Sequence, residues 1–387
     1  MNVTMVCDVL GKENNGTTVA AMNLYRSLKS KGHNVKIVCP DKDKEGEEDY
    51  FVVPTISFGK LLDKYVEKNG VTIAKCDEKI LTEAIKGSDV VHVMVPFGLA
   101  RKSVKIAKDL GIPVTAGFHA QAENISSHVF LKDCAFAQKI IYKNFYNHFY
   151  KHVTAIHYPT SFIKDLFEGA VKKETNGYVI SNGVNKRFIH KEVERPESLQ
   201  DKIIILFTGR YSKEKSHKVL IDAVSKSKYK DKIQLIFAGC GPLEEKLKKR
   251  SKKKLTVQPI FKFFDRESMV DTISFSDLYV HPAEIEIEAI ACLEAIACGL
   301  VPVIANSPRC ATKAFAIDDK NLFKNKSSKD LRDKIEYWIE HPDEKKKRSE
   351  DYLGYASQFE QDNCMDNMEK MLKDAIELNK QKSVVAN

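Results

Sequence analysis

The 387-residue sequence lacks several features that would place it in a special class of protein. No apolar run approaches the ~18 residues that a membrane-spanning helix needs. The first residues, MNVTMVCDVLG, have neither the basic start nor the cleavage site of a secretory signal, and they are typical of a buried strand. The nine cysteines form no CxxC pair and no Cys/His metal spacing. We therefore expect a cytoplasmic protein with reduced thiols.

The composition that is present indicates a globular protein, with 43% hydrophobic and 30% charged residues. The length exceeds that of one ordinary core, so two domains are expected. Positive charge is concentrated in residues 101–254, which contain 31 Lys and Arg against 15 Asp and Glu. Such a stretch suits a nucleotide, a nucleic acid or an anionic membrane as partner, although a Lys-rich solvated surface has the same composition.

Short β-rich runs alternate with helix-length spacers along most of the chain. VTMVCDVL, VKIVCP and VVHVMVP are early examples, and IIILFTG, QLIFAG and VPVIAN follow in the second half. Strands that are apolar on both faces predict parallel sheets covered by helices. The polar segment Lys191–Lys202 predicts a linker between two such domains. We expect domains at 1–190 and 191–360, and a helix in 361–387 that returns to the first domain.

Several motifs follow these strands directly, where doubly wound domains bind their ligands. In GRYSKEKS, Arg210 and Lys215 lie in a loop where two cations can hold a diphosphate beside a helix N-terminus. AGCGP carries Gly239 and Gly241 but lacks the third glycine of GxGxxG. Glu294 lies within an apolar helical run, where burying a carboxylate is costly unless a partner pairs with it.

Taken together and in order, these motifs resemble those of retaining nucleotide-sugar glycosyltransferases of family 4, which have the GT-B fold. The chain contains NNGTT, FHAQAEN, NGVN, GRYSKEK, GCGP and EIEAIACLEAIACGLVPV, and the resemblance extends from Val3 to about Phe323. It implies two Rossmann-like, doubly wound parallel-sheet domains that face an interdomain cleft. It also implies transfer of a hexosyl unit, with glucose expected, from a UDP-sugar to an acceptor hydroxyl.

The resemblance assigns the donor side to the second half of the chain. Glu294 would accept hydrogen bonds from the donor ribose, and Glu286, eight residues earlier, would face the donor sugar at the start of the helix. Arg210 and Lys215 would stabilise charge on the departing diphosphate, so neither a metal ion nor a cofactor is expected. The donor-binding residues implied are Gly16, Gly209, Arg210, Lys215, Gly239, Gly241, Glu286, Ile287, Ala289, Ile290 and Glu294.

The resemblance places the acceptor side in the first half. His119 would face the reacting sugar, and it joins Arg210, Lys215 and Glu286 as an expected catalytic residue. FHAQAEN also resembles a segment of bacterial diacylglycerol glucosyltransferases, which implies a glycerolipid acceptor. A soluble or cell-surface glycan or polyol is the alternative, and a non-catalytic nucleotide-sugar-binding subunit is a second one. The acceptor-side residues implied are Asn15, Glu123, Asn124 and His128.

Two segments depart from the family pattern. EIEA occupies the place of the usual EGFG, so Glu288 and Ala289 stand where an aromatic residue and a glycine are common. The turn after the first strand has Asn15-Gly16 instead of a glycine pair.

One further segment, Phe130–His152, mixes aromatic and basic side chains. This mixture suits docking on an anionic membrane, which would place the protein on the inner face of the cell membrane. An amphipathic helix whose aromatic residues fill the first domain's core has the same pattern. Nucleic acid is not an expected partner, because the sequence contains no recognised nucleic-acid-binding module.

Overall fold

The structure is a computed structural model that describes residues 1–8, 10, 16–56, 74–123 and 134–386. The chain divides into two compact units, Met1–Asn182 together with Asp362–Asn387, and Gly183–Gln361. Within the described ranges, each unit contains one sheet in which all strands are parallel. The prediction of two parallel-sheet α/β domains is therefore confirmed.

The first unit contains a seven-stranded sheet in the order β3-β2-β1-β4-β5-β6-β7. Its strands are β1 (Asn2–Val6), β2 (Asn34–Cys39), β3 (Tyr50–Val52), β4 (Val90–Val93), β5 (Val114–Gly117), β6 (Ala155–Tyr158) and β7 (Gly177–Val179). The order of strands reverses at β1, as in doubly wound folds. Every residue of β4, β5 and β6 is buried, because helices cover both faces of the sheet.

Among the residues that the structure describes, five α-helices of this unit precede residue 182. They are α1 (Gly16–Ser30), α2 (Glu78–Ile85), α3 (Gly98–Asp109), α4 (Ala135–His148) and α5 (Ser161–Val171). The N-terminus of α3 is capped by Asp8, which follows β1 and accepts hydrogen bonds from the N–H groups of Leu99 and Ala100 at 3.0 and 3.2 Å. This carboxylate ties the end of the central strand to a neighbouring helix.

The second unit contains a six-stranded sheet in the order β10-β9-β8-β11-β12-β13. Its strands are β8 (Ile203–Thr208), β9 (Ile233–Ala238), β10 (Ile260–Lys262), β11 (Leu278–His281), β12 (Pro302–Asn306) and β13 (Leu322–Lys324). Its helices are α6 (His217–Val224), α7 (Glu244–Lys254), α8 (Arg266–Ser274), α9 (Ile290–Ala297), α10 (Ser328–Glu340) and α11 (Pro342–Ala356). The strand order reverses at β8, so the crevice that such sheets use for ligands lies beyond the carboxyl ends of β8 and its neighbours.

The last helix, α12 (Gln361–Ala386), belongs to the first unit for nearly all of its length. Met365, Met368 and Leu372 are buried in the core that also contains Val3 and Leu24. Fully burying such side chains contributes roughly 1.5–3 kcal/mol each. An ion pair between Lys31 and Glu369, at 2.8 Å, adds a polar contact at the edge of this core.

The segment Lys191–Lys202 is not a free linker. The N-terminal part of the first unit ends at Asn182, before the boundary expected at residue 190, and the segment lies inside the second unit. Arg195 Nη2 contacts Asp277 Oδ1 at 2.8 Å, and its Nη1 donates to the carbonyl of Lys202. This pairing explains why a polar, charged sequence is held against the domain instead of connecting two domains.

Candidate active site

The loops that follow β8, β9, β11 and β12 meet at the carboxyl edge of the second sheet. The Glu284 N–H donates to the carbonyl of Glu214 at 2.8 Å, and Ser307 Oγ donates to the carbonyl of Glu284 at 2.7 Å. These bonds join the loops after β8, β11 and β12 into one surface. The sequence motifs GRYSKEK and EIEA are thereby brought together, although they lie far apart in the chain.

An ion pair lies at the centre of this edge. Lys215 Nζ is 2.5 and 2.7 Å from the two carboxylate oxygens of Glu286. The side chains are only 16% and 15% exposed, so the pair is largely screened from water. Burial lowers the pKa of Lys215, but the Glu286 carboxylate outweighs burial, and the net pKa is raised. The pairing of these two expected catalytic residues was not anticipated from the sequence.

His281 is a residue of this edge that sequence reasoning missed. It ends β11, is fully buried, and its Nε2 lies 3.9 Å from Glu286 Oε1. Burial, followed by the nearby Lys215 charge, lowers the pKa of His281 well below its usual value, so the ring is neutral at physiological pH. The only signal in the sequence was a histidine at the end of a buried strand.

The glycines of this edge are required by contact between two loops. A Cβ at Gly239 would overlap the carbonyl oxygen of Gly209, and a Cβ at Gly241 would lie 2.6 Å from the backbone nitrogen of Tyr211. The Tyr211 N–H also donates to the carbonyl of Cys240 at 2.9 Å. GCGP therefore packs backbone to backbone against the GRY loop. Arg210 lies half-buried within that loop.

Helix α9 starts later than the sequence suggested. It begins at Ile290, so Glu286 and Ile287 lie in the preceding loop and not at the helix start. Glu286 instead pairs as a β-bridge with Cys310. Ala289 adopts φ 68° and ψ 65°, the left-handed conformation that glycine accepts most readily. Alanine therefore occupies a glycine-like backbone position in EIEA.

Glu294 is half-buried on α9. No residue in the described part of the chain forms a hydrogen bond or an ion pair with its carboxyl group. Burial raises the pKa of Glu294 to about 8, and the positive charge of Arg266 offsets this only in part. At neutral pH most of this carboxyl group is protonated, which is the expected state for a buried acid without a partner.

In the first unit His119 follows β5 and lies next to two further histidines. Its ring centroid is 5.5 Å from that of His157 on β6. A Cβ at Gly117 would lie 2.5 and 2.6 Å from Cδ2 and Nε2 of His119, so the imidazole fills the space that a side chain there would need. Burial, with the neighbouring His157 and His92, lowers the pKa of His119 well below its usual value. The ring is neutral at physiological pH.

Of the four expected acceptor-side residues, the structure describes Glu123. Glu123 is buried, and its Oε2 accepts a hydrogen bond of 2.5 Å from Tyr142 Oη of α4. Gly16, expected on the donor side, is exposed at the start of α1. Asn15, Asn124 and His128 lie outside the described residues.

Helix α4 shows features of both interpretations of its segment. Tyr142 and Phe145 are buried, as expected for aromatic residues that fill the core. Phe136 and Ile140 are 74% and 51% exposed and lie one helical turn apart. The surface formed by Phe136, Lys139, Ile140 and Lys143, which we call the α4 face, is exposed at all four positions.

The described residues contain neither a candidate metal cluster nor a candidate membrane-spanning helix. Within these ranges no three His, Cys, Asp or Glu side chains are grouped so that they could hold a metal ion. Among the helices that the structure describes, none combines the length and apolarity needed to cross a membrane.

The two all-parallel, doubly wound units define the GT-B fold, which confirms the fold expected from the sequence. The structure is similar to that of Anabaena HepE in complex with UDP and glucose, with a TM-score of 0.73 at 14% identity. The comparison covers 96% of this chain and 99% of the other. At 14% identity this similarity shows a shared fold and nothing about activity.

Two family matches identify the chain more closely. Residues 14–188 match Glycosyltransferase Family 4, and residues 185–353 match Glycosyl transferases group 1. The chain therefore belongs to glycosyltransferase family 4, and it is a glycosyltransferase.

Two curated relatives are about a quarter identical to this chain over the aligned residues. The alpha-monoglucosyldiacylglycerol synthase of Streptococcus pneumoniae is 25% identical over an aligned length of 328 residues, and the match covers 79% of this chain and 71% of the relative. The GDP-mannose-dependent alpha-mannosyltransferase of Corynebacterium glutamicum is 26% identical over an aligned length of 326 residues, and the match covers 79% of this chain and 72% of the relative. The first match agrees with the local resemblance to diacylglycerol glucosyltransferases in FHAQAEN.

Proposed function

We propose that the protein transfers a glucosyl unit from UDP-glucose to a hydroxyl group of a membrane glycerolipid such as diacylglycerol. The observation that carries the proposal is the charged carboxyl edge of the second sheet, where Lys215, Glu286 and Glu294 lie after the strands that doubly wound domains use for ligands. The monoglucosyldiacylglycerol synthase relative supports the sugar and the class of acceptor.

In this proposal the carboxyl edge binds the donor. Arg210 and Lys215 hold the diphosphate, Glu286 contacts the sugar hydroxyls, and Glu294 accepts hydrogen bonds from the ribose hydroxyls. Gly209, Gly239 and Gly241 let the two loops approach each other, which brings backbone N–H groups close to the phosphates. Ribose hydroxyls would supply the partner that the Glu294 carboxyl group lacks in the empty protein.

We further propose that the reaction retains the configuration of the anomeric carbon and uses no metal ion. Glu286 is held by Lys215 on both oxygens, an arrangement that suits a binding residue better than a nucleophile. The bond between the anomeric carbon and the UDP oxygen breaks as the acceptor oxygen attacks from the same face. The acceptor proton passes to the departing β-phosphate oxygen, so UDP and the glycoside are the products. Arg210 and Lys215 stabilise the charge that develops on the diphosphate.

On the acceptor side we propose roles for His119 and for the α4 face. The neutral imidazole of His119 has no hydrogen-bond partner at Nε2 among the described residues, so it can bond to a hydroxyl group. The α4 face suits an anionic membrane, with the exposed apolar pair Phe136 and Ile140 and the exposed basic pair Lys139 and Lys143. Apolar side chains insert at the lipid interface, and basic side chains are attracted to anionic headgroups. The enzyme would then work as a peripheral protein at the membrane that contains its acceptor.

A second candidate function is mannosyl transfer from GDP-mannose, because the Corynebacterium glutamicum relative is named for that donor. A soluble glycan or polyol acceptor remains the alternative to a lipid. A protein that binds a nucleotide sugar without turnover is the third candidate.

A donor and acceptor screen separates these candidates. Purified protein is incubated with UDP-glucose, UDP-galactose or GDP-mannose, and with diacylglycerol in vesicles or soluble glycans, in the presence and absence of EDTA. Mass spectrometry and NMR of the product identify the sugar, the acceptor and the anomeric configuration. We expect an α-glucosyl lipid from UDP-glucose, unaffected by EDTA. Binding of UDP without any product would leave only the non-catalytic function.

A further inference from the structure

The second unit contains a cavity of about 240 Å³ on the side of its sheet opposite to the carboxyl edge. The residues immediately before β11 and β12 line it, among them Asp277 and Val301. The end of α8 and the first turns of α11 complete its wall, with Ser274 and Lys345. All strands of the sheet are parallel, so this amino edge is distinct from the proposed donor site.

Positive charge exceeds negative charge beside this cavity. Asp277 Oδ1 accepts a hydrogen bond from Arg195 at 2.8 Å, and Oδ2 accepts one from the Ile204 N–H at 2.8 Å. Lys345 Nζ lies 3.9 Å from the same Oδ1, beyond hydrogen-bond distance. A single carboxylate thus faces two cations, and it is already bonded to one of them.

Of the two cations beside Asp277, Lys345 is the one that forms no hydrogen bond to it. In the described part of the chain its ammonium donates to no acceptor, yet the side chain is only 25% exposed. Burial is the main cause that lowers the pKa of Lys345. The Asp277 carboxylate raises this pKa and the Arg195 charge lowers it, and the net pKa is lowered. An ammonium that is partly shielded from water and has unused donors is stabilised by an anion that enters the cavity.

The remaining lining determines which anion fits. Leu300, Val301 and Pro342 supply an apolar wall. Ser274 Oγ accepts from the Lys191 N–H at 3.3 Å. Its hydroxyl hydrogen donates to no acceptor among the described residues, so it can donate to a ligand. These properties suit a small organic anion with a short carbon body.

We propose that this cavity is a binding site for a small organic anion, a phosphomonoester or a carboxylate, whose charged group bonds to Lys345 and Ser274. The site is separate from the chemistry of sugar transfer and does not depend on the donor or acceptor proposed above. The other end of the cavity wall, Cys298 to Leu300, continues directly from α9, the helix that carries Glu294.

The test is calorimetric titration of sn-glycerol 3-phosphate and of butyrate into the full-length protein at constant ionic strength. Saturating UDP is present throughout, so that the proposed diphosphate site is occupied. We expect at least one probe to bind, and we expect Lys345→Met to weaken its binding at least tenfold, because a charge-assisted hydrogen bond is lost. Lys345→Arg should retain most of the affinity.

Lys347 provides the matched control, because it is exposed on the same helix and does not line the cavity. Lys347→Met should bind the probe as the unaltered protein does. If Lys345→Met does not fold, Ser274→Ala is used instead and should weaken binding severalfold. The proposal is overturned if neither probe binds in the presence of UDP, or if binding is the same in the Lys345 and Lys347 variants.

Discussion

The Lys215 ammonium contacts both carboxylate oxygens of Glu286 across a separation of 71 residues in the chain. The two residues thereby neutralise each other in a site that water reaches only in part. The pair holds the Lys215 ammonium in place at the carboxyl edge in the absence of a donor. Such preorganised charge is the main means by which an enzyme stabilises a developing anion.

The first prediction concerns this cation. Lys215→Met removes the charge proposed to stabilise the diphosphate and leaves the Glu286 carboxylate beside the neutral His281. Turnover of the nucleotide sugar should fall at least tenfold, since a hydrogen bond to a charged group is worth about 1.5–3 kcal/mol. Lys218→Met, on the exposed side of α6, is the control and should retain activity. Normal turnover in Lys215→Met would remove this residue from the site.

The sequence contained enough information to predict the class of fold. Buried strands separated by helix-length spacers specify a parallel α/β arrangement, because a sheet of strands that are apolar on both faces must be covered by helices on both faces. The positions of the motifs after strands also followed, since ligands bind at the carboxyl ends. The family 4 identity followed from the order of the motifs and is confirmed by the family matches.

The details of the site could not be predicted, for physical reasons. The Lys215–Glu286 pair depends on how two loops pack, which local propensity does not encode. Lys191–Lys202 resembled a linker because it is polar, but Arg195 pairs with Asp277 and holds it to the domain. Glu286 was expected at a helix start, but it forms a β-bridge with Cys310, and α9 begins only at Ile290, after the left-handed Ala289.

The second prediction concerns the space that Gly117 leaves for His119. A methyl group there would displace the imidazole ring, because the Cβ would lie 2.5 Å from Cδ2. Gly117→Ala should lower turnover at least tenfold while UDP affinity stays unchanged, since His119 is proposed to act on the acceptor side. Gly169→Ala, where an added Cβ meets no atom within 4 Å, is the control.

A double-mutant cycle separates this effect from a general loss of structure. If the added methyl group acts only through His119, adding Gly117→Ala to the His119→Ala variant should change neither activity nor Tm. A further loss of activity or Tm in the double variant would show that Gly117 serves the strand and not the histidine.

The third prediction concerns the left-handed backbone at Ala289. A non-glycine residue in this conformation costs roughly 1–2 kcal/mol relative to the right-handed one, and glycine avoids much of that cost. Ala289→Gly should therefore raise the free energy of unfolding, by about 1 kcal/mol in chemical denaturation. Ala295→Gly, within α9, is the opposite control and should lower it by about 1 kcal/mol. A loss of stability in Ala289→Gly would refute the assigned strain.

The fourth prediction concerns the α4 face. Phe136→Ser with Ile140→Ser should weaken binding to vesicles that contain phosphatidylglycerol, because fully burying each apolar side chain contributes about 1.5–3 kcal/mol. Lys139→Gln with Lys143→Gln should weaken binding to anionic vesicles only. Vesicle flotation measures both effects. Leu110→Ser, an exposed leucine of the first unit outside this face, is the control, and an equal loss in that variant would contradict the proposal.

The central claim is that the carboxyl edge of the second unit binds the donor nucleotide. If Glu294 binds the ribose there, the affinity for UDP depends on pH through the protonation of the Glu294 carboxyl group. The pKa of Glu294 in the folded protein is about 8, above the ordinary value of 4.5. Protonation of Glu294 therefore stabilises the empty folded protein, and this contribution to the free energy of unfolding is lost as the pH rises from 4.5 through 8. Ribose hydroxyls donate to the ionised carboxylate, so UDP binding should release a proton. UDP affinity should therefore rise with pH, and Glu294→Gln should abolish this dependence.

The most direct measurement is calorimetric titration of UDP into the unaltered protein and Glu294→Gln at pH 7, 8 and 9. The ionised fraction of a group with pKa 8 rises from roughly a tenth to nine tenths over this range, while the UDP phosphates stay ionised. The account predicts an affinity gain of about tenfold from pH 7 to pH 9 for the unaltered protein and none for Glu294→Gln. Equal affinities with the same pH response in both proteins would contradict it.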